Sequence, residues 1–196
     1  MLDNEPIMER DTSIQHITFV AFDFETTGLY PQQDDIIEFG AVKFSVTEGP
    51  MAEFRTFVDP NRPVPADASD ISGITDDMLV GQPSLSIVMP QFKEFIEGTV
   101  LVAHNAGFDL SFLRAALAKL SISDIDNFVI DTQQLAKRAF PGQKSYGLQN
   151  LATFLQFPPN QAHRALDDAH MCMKLFLSCS SALSFMGEIT LHELLT

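Results

Sequence analysis

Cations are scarce in this chain: 12 Lys and Arg stand against 26 Asp and Glu, a formal charge of −14 at pH 7. A protein that grips nucleic acid through its phosphates carries a basic stripe, so non-specific affinity for long nucleic acid should be weak, although divalent cations at a carboxylate cluster would reverse the local sign. Cysteine is scarcer still, with Cys172 and Cys179 the only two. Lying two helical turns apart on one face, they are separated by about 10 Å of helix rise, too far for a disulfide. They read as reduced core residues of an intracellular protein. No apolar run approaches the length of a membrane-spanning helix. The opening segment, with Asp3, Glu5, Glu9 and Asp11, lacks the basic start and apolar stretch of a secretory signal. It reads as a loose leader, and the protein as cytoplasmic. Internal repeats and low-complexity segments are absent too.

What the chain does have is apolar residues, 45% of its 196 positions with 17 Phe, enough for the core of one domain. That domain is placed at residues 16–185, between a leader at 1–15 and a short tail at 186–196. Strands are expected at 17–23, 36–46 and 53–58, where β-branched and aromatic residues gather. A Pro-rich break at 59–65 follows, then a short helix with an acidic first turn after Thr75. A helix at 84–97 is expected to bury Ile87, Val88, Phe92, Phe95 and Ile96. A buried strand at 99–103 precedes helices at 108–120, 131–139, 146–155 and 165–184, with a short strand at 128–130. Turn-linked strands followed by strand–helix alternation predict an α/β fold: a mixed five-stranded sheet, antiparallel at first and parallel after, flanked by helices.

Charge placement within that frame is informative. In Ala21-Phe-Asp-Phe-Glu-Thr-Thr-Gly28 the carboxylates Asp23 and Glu25 lie two apart, so on a strand they leave one face while Phe22 and Phe24 enter the other. Carboxylates on a core strand are costly unless paired or holding a metal. The ordinary alternative is a solvated strand end. Ala103-His-Asn-Ala-Gly-Phe-Asp109 passes from a strand into a helix and sets Asp109 at the helix entry, near the strand's carboxyl edge where α/β sheets bind ligands. Asp109 could equally be a first-turn acid and Asn105 a helix cap, while His104 reads as a positioning or packing residue. A third segment, His163-Arg-Ala-Leu-Asp-Asp168, follows Pro158 and Pro159, which delay the helix start. Periodicity leaves Asp167 and Asp168 as alternatives for the residue facing the site.

Asp-x-Glu-Thr-Thr-Gly at 23–28, His-Asn-Ala-x-Phe-Asp at 104–109 and His-x4-Asp at 163–168 occur in the order and spacing of the DEDDh (DnaQ-like) 3′→5′ exonucleases. The chain resembles that family over residues 17–177, and within it the proofreading epsilon subunits of bacterial DNA polymerase III. The resemblance implies an RNase H-like fold. It also implies Asp23, Glu25, Asp109 and Asp168 as ligands of two Mg²⁺ or Mn²⁺ ions, with His163 as general base, and so selects Asp168 over Asp167. Thr26, Thr27, Gly28, Leu29, His104 and Asn105 would contact the terminal nucleotide, with Leu29 wedged against its base, although Gly28 fits a tight turn equally well. Lys137, Arg138, Lys144 and Arg164 are candidate phosphate contacts.

Hard oxygen ligands suit Mg²⁺ and Mn²⁺, and an ion pair can clamp the attacking and leaving oxygens of a displacement. The expected substrates are single-stranded or frayed DNA 3′ ends, shortened with release of nucleoside 5′-monophosphates. The alternatives are an RNA 3′-end exonuclease and a non-catalytic polymerase-binding module. The end of the chain shows no clear clamp-binding motif, so a free-standing enzyme is expected at least as readily as a partner of DNA polymerase, and a homodimer is left open.

Overall fold

The computed structural model describes residues 9–159 and 162–195. Three strands form first: β1 (Thr18–Thr26), β2 (Ile36–Ser45) and β3 (Gly49–Phe57), joined as antiparallel neighbours. The short helices α1 (Ala66–Ser72) and α2 (Asp76–Leu79) lead to α3 (Leu85–Ile96). Alternation then sets in with β4 (Val100–Ala103), α4 (Gly107–Lys119), β5 (Val129–Asp131), α5 (Thr132–Ala139), α6 (Leu148–Phe154), α7 (Ala165–Leu183) and α8 (Leu191–Leu195). The strand order is β3-β2-β1-β4-β5, with β4 parallel to both its neighbours. The expected mixed five-stranded α/β architecture is thus the observed one.

Strand periodicity divides the core. Phe19 and Ala21 of β1, with Val42 and Phe44 of β2, face α7, where the Phe19 and Phe176 rings lie 4.7 Å apart. Val20, Phe22 and Phe24 face α3 and α4 instead, with Phe24 4.7 Å from Phe39 and 5.5 Å from Phe92. Asp23 and Glu25 therefore continue the α7 face of β1, as alternation along a strand requires.

Several local readings are corrected. Strand β1 runs on through Thr26, carrying Glu25 on regular strand. Ile87 is 55% exposed, because the buried stripe of α3 passes through Val88, Met89, Phe92 and Ile96, and a residue two before Met89 points across the helix. Helix α1 was not expected: its Asp67, Ser69, Asp70 and Ser72 are weak helix formers. It begins after Pro65 and stops at Gly73, whose φ of 70° is left-handed. The leader and the tail meet. Ile14 is buried and its N–H donates to the Ile189 carbonyl at 3.1 Å, while Leu191 N–H donates to Thr12 at 2.9 Å. Residues 1–8 of the expected leader lie outside the described residues.

Candidate active site

The sheet's topology creates an opening beside β1. Strand β4 pairs with β1 at Phe19, Val20 and Ala21, so β1 runs past the end of its neighbour. Helix α4 starts in that space, and its first-turn Asp109, 3% exposed, accepts a hydrogen bond from the Phe24 N–H at 3.2 Å. A peptide group that would otherwise seek a strand partner thereby fixes a carboxylate beside Asp23 and Glu25.

On the other side, Gly40 pairs in register with Asp23 and lets α7 approach. A Cβ at Gly40 would lie 2.1 Å from the Ala165 carbonyl carbon and 2.2 Å from the Leu166 nitrogen, so only glycine permits this contact. The close approach brings Asp168, in the first turn of α7, to the strand carboxylates. Ligand atoms of Glu25, His163 and Asp168 all lie within 4.8 Å of one another. Asp168 accepts from the His163 N–H at 2.8 Å and from Gln149 Nε2 at 3.0 Å. Asp167, by contrast, is not among the residues lining the cleft. His163 is solvent-exposed and has a left-handed backbone, φ 61°, a conformation in which His is enriched.

These carboxylates raise one another's proton affinity. Burial pushes the Asp23 carboxyl well above the usual range, and Asp109, Glu25, Asp168 and Glu38 push in the same direction. Glu25 rises to about 8, through burial first and then Asp168, Glu38 and Asp109, with Arg164 opposing. Burial also raises Asp109 against the stabilising Phe24 N–H. Four hard oxygen donors that repel in this way match what a divalent cation neutralises, and the residues fit Mg²⁺ or Mn²⁺.

The surrounding cleft has a volume of about 510 Å³. Thr26, Gly28, Leu29, His104 and Asn105 line it; Thr27 does not. Thr27 is 2% exposed, its N–H donates to the Asp35 carbonyl, and its hydroxyl accepts from Arg62 at 2.8 Å and from the Asp35 N–H at 3.0 Å. Through these bonds Thr27 holds the turn that carries Gly28 and Leu29. At Gly28 a Cβ would meet the Asp34 carboxylate at 2.4 Å, so a larger residue there would displace Asp34 from the turn. Leu29, 72% exposed, projects at the mouth.

His104 donates from Nε2 to the Tyr146 carbonyl at 2.9 Å, and its Nδ1 lies 3.0 Å from the Thr132 hydroxyl. Burial lowers its pKa, and the neutral ring is a pin between β4, α5 and the loop before α6. Asn105 is not the side-chain cap of α4. It has φ 58° and donates its N–H to Asp131 at 3.1 Å, one of two backbone groups that carboxylate receives. Among the expected phosphate contacts, Arg164 is committed to Glu38 and Arg138 to the Glu193 carbonyl, while Lys144 is exposed in the loop leading to α6.

A family model for exonucleases of the RNase T type matches residues 20–176. The chain belongs to this exonuclease family. It is 48% identical over 164 residues to the DNA polymerase III epsilon subunit of Treponema pallidum, covering 83% of this chain and 76% of that protein. It is 40% identical over 196 residues to the PolC-type DNA polymerase III of Thermotoga petrophila, spanning 98% of this chain but 14% of that polymerase. Among solved structures, exonuclease X bound to a 5′-overhanging duplex superposes with a TM-score of 0.66 at 26% identity, over 86% of this chain and 93% of that one. Exonuclease I of E. coli with a dT13 oligonucleotide shares the fold, with a TM-score of 0.77 at 17% identity over 87% of this chain and 42% of that one.

Three contributors to the site of this family member escaped sequence reasoning. Helix α1 lends Asp67, Ala68 and Ile71 to the cleft wall, and Gln149 reaches Asp168 from α6. Glu38 is fully buried on β2, in register with Glu25. Its signal was present: a carboxylate inside the apolar run Ile36-Ile-Glu-Phe-Gly-Ala-Val42 has the same anomaly that drew attention to Asp23.

Proposed function

We propose that the protein is a metal-dependent 3′→5′ exonuclease that shortens single-stranded or frayed DNA 3′ ends and releases nucleoside 5′-monophosphates. The observation that carries this reading is the convergence of Asp23, Glu25, Asp109 and Asp168, from three separate segments, with His163 at one cleft. These four carboxylates would hold the metal pair, which when bound supplies Lewis-acid activation of a water and charge neutralisation at the phosphate. A ring nitrogen of His163, exposed and beside Glu25 and Asp168, accepts the water's proton. Phe24 N–H and Gln149 hold Asp109 and Asp168 in place, so the ligands need not reorganise. Thr26 Oγ1 closes the turn on the Gly28 carbonyl at 2.6 Å, which sets Leu29 at the mouth to pack against a terminal base.

Charge supports the single-stranded substrate. With a net −14 there is little to hold a duplex, and opening a paired end costs unstacking energy. The 48% identity to a polymerase III epsilon subunit favours proofreading beside a DNA polymerase as the setting. Two buried free cysteines suit the cytoplasm, and no described helix is long and apolar enough to cross a membrane. The test is a time course on 5′-labelled single-stranded DNA, blunt duplex and matched RNA with Mg²⁺, Mn²⁺ or EDTA. A ladder shortened stepwise from the 3′ end, fastest on single-stranded DNA and absent in EDTA, is expected. Equal rates on blunt duplex, faster cleavage of RNA, or fragments from a circular strand would each overturn it.

A further inference from the structure

Glu38 is the most deeply buried charge near the cleft, with no exposure of its side chain. A carboxylate in that position is costly unless every oxygen is met, and here both are. Oε1 accepts from Arg164 Nη2 at 3.1 Å and from Arg55 Nε at 3.2 Å. Oε2 accepts from Arg164 Nε at 3.2 Å and from the Ala165 N–H at 3.3 Å. Arg164 thus engages Glu38 through two nitrogens, the planar fork that lysine cannot reproduce. Its guanidinium also lies 5.4 Å from the centre of the Phe57 ring, and its side chain is only 15% exposed.

The neighbours give this arrangement a purpose. Glu38 and Gly40 lie on the same face of β2, one gripping Arg164 and Ala165, the other admitting the Ala165 and Leu166 backbone. Together they fasten the first turn of α7 to the sheet at the point from which Asp168 reaches the cleft. His163 directly precedes Arg164 and is exposed, so burial does not hold its ring, and its backbone is in the left-handed region. The Arg164 carbonyl also accepts the Asp168 N–H at 3.0 Å, so Glu38 and Arg164 together hold the step from His163 into α7.

We propose that Glu38 and Arg164 are positioning residues: a buried clamp that sets His163 against Glu25 and Asp168, and through it the rate of proton removal. The proposal rests on the reading of His163 as general base.

The test combines kinetics with spectroscopy on the full chain. In Glu38→Gln, kcat on a 5′-labelled single strand should fall about 10–100-fold, the usual cost of losing an outer support. KM and Mn²⁺ affinity by calorimetry should stay within about threefold. In a His163→Ala background the same change should cost less than about twofold, because the group being positioned is gone. Arg164→Lys, which keeps the buried charge balanced, should lower kcat in the same way and carries the test if Glu38→Gln does not fold. An equal loss in both backgrounds, or an unchanged kcat in a folded variant, would refute the clamp. Metal-free imidazole NMR separates this from the activity itself. The His163 ring signals, assigned by their loss in His163→Ala, should shift in Glu38→Gln while those of His104 and His192 stay put. Unmoved His163 signals would overturn the clamp, whereas a wild-type protein that hydrolyses no 3′ end overturns only the activity.

Discussion

Replacing Glu25 by Gln should make the metal-free protein more stable and the protein useless as a nuclease. Burial and neighbouring carboxylates push Glu25 from an ordinary 4.5 to about 8. A group whose proton affinity is raised by folding contributes stability that is full below its unfolded pKa and is lost as pH rises through its folded one. Wild-type protein in EDTA should therefore lose stability from pH 5 to pH 8. At about 1.4 kcal/mol per pH unit the whole displacement corresponds to about 5 kcal/mol. That is a ceiling, because Asp23, Asp109 and Asp168 share the repulsion. If about 1–3 kcal/mol belongs to Glu25, Glu25→Gln should melt about 3–10 °C above wild type at pH 8 in EDTA. At pH 5 both side chains are neutral in the folded state, and the gain should shrink to near zero. Differential scanning calorimetry across pH 5–8 reads this directly. Saturating Mn²⁺ at pH 8 should raise the wild-type Tm and leave the variant nearly unmoved, reversing their order. A variant that melts below wild type at pH 8 in EDTA, or whose gain is undiminished at pH 5, would refute the reasoning.

Other substitutions probe the remaining parts. Asp109→Ala should remove nearly all hydrolysis and weaken Mn²⁺ binding by calorimetry while the far-UV circular dichroism stays native; activity persisting in excess EDTA would contradict the metal reading. His163→Ala should lower turnover about 10²–10⁴-fold with Mn²⁺ binding kept. Asp167→Ala should change turnover by less than about threefold, since Asp167 is not part of the cleft wall. Gly40→Ala forces a Cβ to within 2.1 Å of the α7 backbone, and such overpacking should cost about 1–3 kcal/mol, visible as a lower Tm, with a fall in activity as Asp168 is pushed away from the strand carboxylates.

Much of the site was written in local order. The alternation Phe22-Asp23-Phe24-Glu25 dictates two carboxylates on one strand face, because side chains alternate whatever the strand packs against. The passage from an apolar strand into a helix at residues 103–109 sets Asp109 at a sheet edge, and the apolar runs with their turn signals are enough to predict a mixed five-stranded α/β sheet. Tertiary structure decided what local order left open. Asp167 and Asp168 differ by one position on a helix, and which of them meets Glu25 depends on how closely α7 can lie on Gly40, a contact across more than a hundred residues of chain. Thr27 and Leu29 are neighbours in one turn, yet the first is buried under Arg62 and the second projects at the cleft mouth. Glu38 looks in sequence like a stray charge in a strand and becomes the anchor of Arg164 only when β2 and α7 pack together. Periodicity along the chain sets the face a residue takes, but the partner it meets there depends on close packing between segments distant in sequence, which no local pattern encodes.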